Sequence, residues 1–235
     1  MAMAAATSPL LARWTGPHNG APPFDKVAVA DFKPALLAAI EENRAEIAAI
    51  AGATSPPTFA NTIAAMENAG RTLNRVGALF GVWTSTLNDK PMQAVAQEMA
   101  PIMAAYQDEV IQNAALFARV KAVYDARETS GLTPEQKRVT EVDYRQFARQ
   151  GAALNPEQKT RLGAINQRLA TLYTTFGQNE LADEEGYAVT LTSQADLAGL
   201  PAQVVAGAAQ AAQAQGQAGQ WLITNTRSSM EPFLT

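Results

Sequence analysis

This sequence of 235 residues predicts a mainly α protein, a multi-helix array of antiparallel packed helices with room for a short β hairpin near residues 187–224. Three observations carry that expectation. Apolar residues recur at steps of three and four through most of the chain, the spacing of one helix face. Helix-start chemistry (Thr, Asn or Asp followed at once by Pro, acid or amide) stands before several of these runs. Only Tyr187-Ala188-Val189-Thr190-Leu191 and Trp221-Leu222-Ile223-Thr224 alternate and carry the β-branched residues that favour strands.

Residues 8–26 are rich in Pro and Gly, and Leu10, Leu11, Trp14 and Phe24 give them apolar anchors, so they read as a docked arm. Asp31 is the expected N-cap of the next helix, with Pro34 in its first turn, Leu36, Ile40, Ile47 and Ile50 on its face, and a stop at Gly52. Thr58 caps a short helix bearing Phe59, Ile63 and Met66, and Gly70 is its left-handed terminator. Leu73, Val76, Phe80, Trp83 and Leu87 form the stripe of the helix that follows. A long helical segment is expected over 91–126, with a kink at Pro101, where one backbone donor is missing.

Two further helices begin at Thr133-Pro134-Glu135-Gln136 and Asn155-Pro156-Glu157-Gln158, each a capping box with Pro at its first position. The short connection Gly151-Ala152-Ala153-Leu154 predicts antiparallel neighbours. The second of these helices carries Leu162, Ile165, Leu169, Leu172 and Phe176, which read as a core stripe. An Ala/Gln-rich helix runs from Pro201 to about Gly216, with Val204 and Val205 its only larger apolar residues, and reads as a surface helix. The closing Met230-Glu231-Pro232-Phe233-Leu234-Thr235 has the look of a truncation.

Composition narrows the function classes. A net charge of −4 offers no basic face for nucleic acid. No run of about 18 apolar residues exists, so no membrane span is expected, and with no basic leader at the N-terminus a cytoplasmic location is the default expectation. The absence of cysteine excludes thiolate catalysis and Cys-ligated zinc. The single histidine, His18, lies in Gly16-Pro17-His18-Asn19-Gly20 and reads as a turn residue rather than a ligand or base. A helix-borne zinc site needs two histidines one turn apart with a glutamate beside them, which one histidine cannot supply. Glu41-Glu42 and Asp183-Glu184-Glu185 are the dense acidic clusters, but adjacent helical residues diverge by about 100° and do not converge on one point. Arg227-Ser228-Ser229 reads as a polar turn ahead of an anion site. No catalytic, cofactor-binding or metal residue is assigned.

The stretch Pro57-Thr58-Phe59-Ala60-Asn61-Thr62-Ile63, running on through Glu67-Asn68-Ala69-Gly70-Arg71-Thr72-Leu73-Asn74-Arg75-Val76, resembles the N-terminal region of the thimet oligopeptidase family. These are zinc metallopeptidases that include oligopeptidase A and the bacterial peptidyl-dipeptidases of dipeptidyl carboxypeptidase type. Pro9-Leu10-Leu11 with Trp14, Asp31-Phe32-Lys33-Pro34-Ala35, Asn113–Lys121, Phe147–Leu154, Arg161–Asn166, Ala182–Gly186 and Ser228–Leu234 extend the resemblance in order along nearly the whole chain. It implies an almost wholly helical fold with a deep channel, of which residues 1–235 supply an N-terminal wall. Zinc, held by H-E-x-x-H and a downstream Glu, is expected in the parent enzyme but not in this chain, which lacks that motif and is expected to be inactive alone. Its expected partners are the missing C-terminal catalytic half and, as parent substrate, short peptides. On this reading an apolar face should stand exposed where the missing half docks. The rival reading is a stand-alone helical module that binds peptides or another protein without enzymatic activity.

Overall fold

The computed structural model describes residues 8–234, apart from the side chains of His18 and Asn19. The chain divides into two compact units, Met1–Leu172 and Tyr173–Thr235.

The first unit holds α1 (Pro17–Gly20), α2 (Val29–Ala51), α3 (Ala64–Asn68), α4 (Arg71–Thr86), α5 (Lys90–Ile111), α6 (Ala114–Ala126), α7 (Pro134–Arg149) and the start of α8 (Pro156–Gly186). Helix α2 is its spine. The first half of α2 places Phe32, Ala35, Leu36 and Ile40 against Val76, Leu79 and Trp83 of α4 and Met92, Met99 and Tyr106 of α5. Its second half carries Ile47 into a separate cluster with Ile63, Leu116, Val120 and Val123 of α6, and Phe147 of α7. Met92 and Met99 are core filling, as unbranched and adaptable side chains suit an interface among three helices. The arm is docked as expected: Leu10 is fully buried, Arg75 lies 5.1 Å over the Trp14 ring, and Phe24 stacks on Trp83 at 5.6 Å.

Three expectations need correction. Asp31 is not the N-cap. The helix begins one turn earlier, at Val29, and the Asp31 carboxylate reaches back to accept from the Ala28 N–H at 2.8 Å, which leaves Pro34 in the helix interior. The segment 91–126 is two helices. Helix α5 continues through Pro101 and ends at Ile111, because Asn113 starts α6 by accepting the Leu116 N–H at 3.0 Å. Finally, α7 packs on α6 through a ladder of stacked rings, with Tyr124–Tyr144 at 4.0 Å and Phe117–Tyr144 at 5.8 Å, and α8 is not its antiparallel neighbour.

Other local signals hold. Thr58, Thr133 and Asn155 each accept from the N–H three residues on, and Asn61, Gln136 and Gln158 return the bond. Gly70 is left-handed at φ 70°, and a Cβ there would stand 3.1 Å from the Asn43 side chain. Gly151 is likewise left-handed at φ 96°, and a Cβ there would displace the end of the Leu162 side chain, 2.5 Å away.

The second unit is built on an antiparallel ribbon. Strand β1 (Ala188–Leu191) pairs with β2 (Trp221–Thr224) in the register Ala188 with Thr224 through Leu191 with Trp221. The connection between them carries a 3-10 turn (Gln194–Leu197) and α9 (Ala202–Ala214), so the ribbon is not a tight hairpin. Helix α9 lies on β2, where Leu222 and Ile223 are buried. The face that it buries is alanine, Ala208 and Ala212, whose small side chains let the helix approach closely, while Val204 and Val205 remain half-buried. Helix α10 (Arg227–Leu234) closes the unit, with Ser229 Oγ accepting from the Thr224 N–H at 3.1 Å.

Candidate functional site

The two stretches that carry most of the chemistry around α6, Pro57–Val76 and Asn113–Lys121, meet at one buried side chain. Arg119 donates from Nη1 to the carbonyls of Ala53 (2.8 Å) and Ser55 (3.0 Å), and from Nη2 to Asn61 Oδ1 (3.0 Å). Asn61 is itself committed, its Oδ1 accepting from the Thr58 N–H and its amide donating to the Pro56 carbonyl at 3.0 Å. The arginine therefore ties the loop after α2 and the Thr58 cap to α6, and holds the chain before Phe59 in one conformation.

Phe59–Ile63 winds as a π turn before α3 begins, a wider helix that the periodicity did not reveal. Beside it, Thr58, Phe59 and Ala60 face Val123, Leu132 and Gln136 across an open cleft of about 320 Å³. Its lining is mostly apolar, with the hydroxyl residues Thr58 and Ser130 and the amide residue Gln136 among it. That arrangement suits a side chain of an extended peptide, and it contains no nucleophile paired with a base.

One acidic pair escaped the sequence reading. Asp143 on α7 is half-buried, and its carboxyl is pushed up to about 6, first by burial and then by the nearby charge of Glu67. Its Oδ2 has no hydrogen-bond partner. The signal was present: Asp143 lies three residues after Thr140 and four before Phe147, both buried, and so belongs to the inward stripe of α7. Because the folded value lies above the ordinary 3.8, the native state holds this proton more tightly than the unfolded chain. The associated stability is fully present below about pH 4 and is lost as pH rises through about 6. Asp143→Asn is expected to raise stability at pH 7 by about 1 kcal/mol, after allowance for partial solvent screening. Urea unfolding at pH 4, 5, 6 and 7 checks this: the wild type should weaken across that range relative to the variant.

No family model matches the chain. Individual relatives do. Over 227 residues, 97% of its length, the chain is 35% identical to a dipeptidyl carboxypeptidase of Escherichia coli K12. It is 33% identical over 228 residues to the dipeptidyl carboxypeptidase of Salmonella typhimurium, and 26% identical over 229 residues to an oligopeptidase A of the same organism. Over nearly its whole length the chain is therefore similar to a portion of peptidases of the thimet oligopeptidase family. It spans about a third of the length of each of these relatives.

Within this chain the remaining sequence candidates do not converge. Glu41 pairs with Arg44, and Glu42 accepts from Thr72 Oγ1 at 2.9 Å. Asp183 takes a 3.4 Å bond from the Asn225 amide, so the acidic run after Leu181 is tied to the turn after β2. Arg227 is engaged by Glu231 at 3.2 Å and Ser229 by the backbone, which leaves that segment a helix start. The His18 side chain lies outside the described residues. Among the described residues no three metal-ligating side chains gather, and no helix is long and apolar enough to cross a membrane.

Proposed function

We propose that residues 1–235 form a helical, non-catalytic wall of a zinc-dependent peptidyl-dipeptidase that hydrolyses short peptides, with the catalytic zinc domain outside these residues. The observation that carries this reading is the match itself. Nearly the whole chain aligns with a dipeptidyl carboxypeptidase, yet it accounts for 33% of that protein. One histidine in the sequence rules out an H-E-x-x-H helix here, so the carbonyl-polarising metal and its base belong to the unmatched part. What this chain contributes is shape: a spine of packed helices and a rigidly held Thr58–Ala60 segment beside an apolar cleft. Such a wall limits access to peptides that are short and unfolded.

The purified chain with added zinc and an N-blocked tripeptide substrate is expected to release no dipeptide and to retain no stoichiometric zinc after dialysis. Chelator-sensitive hydrolysis by the chain alone would overturn the assignment of catalysis to the unmatched part.

A further inference from the structure

Helix α8 turns a different face inward from the one its sequence predicts. Besides Leu162, which lies beside Gly151, its contacts on α5 are small and polar. Lys159 Nζ donates to the Gln112 carbonyl at 3.0 Å, Asn166 Nδ2 donates to Asp108 Oδ1 at 2.7 Å, and between them Gly163 lies against the Asp108 carboxylate. These three follow one another at helical spacing and define the inward face. The apolar stripe of Leu162, Ile165, Leu169 and Leu172 lies about 100° further round. Ile165, Leu169 and Leu172 are 39%, 40% and 45% exposed. Where the stripe begins, Leu154, Leu162 and Ile165 line an open groove of about 500 Å³.

Charge selects the occupant. Between Gln158 and Asn179 the helix carries Lys159, Arg161 and Arg168 and no carboxylate. Arg161 and Arg168 are exposed and lie along one edge of the stripe. Two copies meeting face to face along α8 would place these arginines near their own equivalents, a like-charge arrangement that disfavours self-pairing. A helix with Asp or Glu beside its apolar stripe satisfies both features. The relatives carry about two-thirds of their length outside the matched region, enough chain to supply one.

We propose that the Ile165–Leu169–Leu172 face of α8 is the seam on which a carboxylate-flanked amphipathic helix from the remaining two-thirds of the peptidase docks. This rests on the reading of the chain as one wall of that enzyme. The test co-expresses the tagged 235-residue chain with the part of the E. coli relative that it does not match, and measures co-purification. Leu169→Glu is expected to reduce recovery of the partner at least tenfold, and Arg168→Glu to reduce it further at low salt than at high salt. Gln167→Glu, the same charge placed off the stripe, should leave recovery unchanged. Since Leu169 is solvent-facing, circular dichroism and melting of the isolated Leu169→Glu chain should match the wild type.

Equal recovery with Leu169→Glu overturns the seam while leaving the wall reading intact. Failure of the wild-type chain to recover the partner at all counts against the wall reading itself. A concentration-dependent dimer of the isolated chain that Leu169→Glu abolishes assigns the face to a second copy, and overturns the proposal.

Discussion

Phe32→Ala is expected to lower the unfolding free energy by about 4 kcal/mol. Phe32 is fully buried on α2, with its ring 5.6 Å from Phe80 at a 62° interplanar angle and 5.4 Å from Trp83 at 59°. Both partners sit on α4, whose position is set independently by Val76 and Leu79, and Leu10 of the arm belongs to the same cluster. The surroundings therefore have little freedom to collapse into the space a removed ring leaves, and the cost combines lost transfer energy with a residual cavity. Against a typical total of about 5–15 kcal/mol, this is a large fraction of the stability. Guanidinium unfolding provides the measurement, and a loss under about 1.5 kcal/mol with an unchanged slope would contradict the packing described. Phe176→Ala offers a contrast: that ring is 68% exposed on α8, and its removal should cost no more than about 0.5 kcal/mol.

Arg119→Ala should cost about 3 kcal/mol, from the loss of three charge-assisted hydrogen bonds and the stranding of the Ala53 and Ser55 carbonyls. The figure stays below the sum of three such bonds because Arg119 Nε is already buried without a partner. Asn61 Oδ1 also retains the Thr58 N–H as donor. Arg119→Lys should recover less than half of the loss, since one ammonium on a flexible stem cannot span acceptors that the guanidinium reaches from two nitrogens. Hydrogen exchange localises the effect: amides over 53–63 should exchange faster in both variants, while those of α4 and α5 stay close to the wild type. Uniform acceleration across the first unit would show that Arg119 supports the whole core rather than the loop before Phe59.

Much of the fold was legible because its signals are local. Thr58, Thr133 and Asn155 announce helix starts through bonds that span only three residues, and Gly70 announces a stop through a dihedral angle it alone adopts cheaply. The pairing of Ala188–Leu191 with Trp221–Thr224 was also readable, since few other segments carry strand chemistry. The division at Gln112 was not, because apolar spacing continues from Val110 to Leu116 across it and only the Asn113 side chain marks the break. Asp31 misled for a related reason. An aspartate at the cap and one three residues inside both serve the helix start, and sequence chemistry does not distinguish them.

The candidate site shows the same division. The resemblance-bearing stretches could be seen along the chain, yet their convergence on Arg119 joins Ala53 to a residue 66 positions later. Asp143 gained its altered proton affinity only from burial beside Glu67, a neighbour in space.

Residue chemistry alone settled where helices start and stop, which residues share a helical face, and that no H-E-x-x-H zinc helix is present in these 235 residues. Tertiary packing decided what each face meets. Periodicity places Leu162, Ile165, Leu169 and Leu172 on one stripe, but it is equally satisfied by a core or by solvent. Helix α8 is anchored instead through Lys159 and Asn166, with Gly163 close beside Asp108, because the end of α5 and its cap present Asp108 and the Gln112 carbonyl at that contact, and these accept from polar partners.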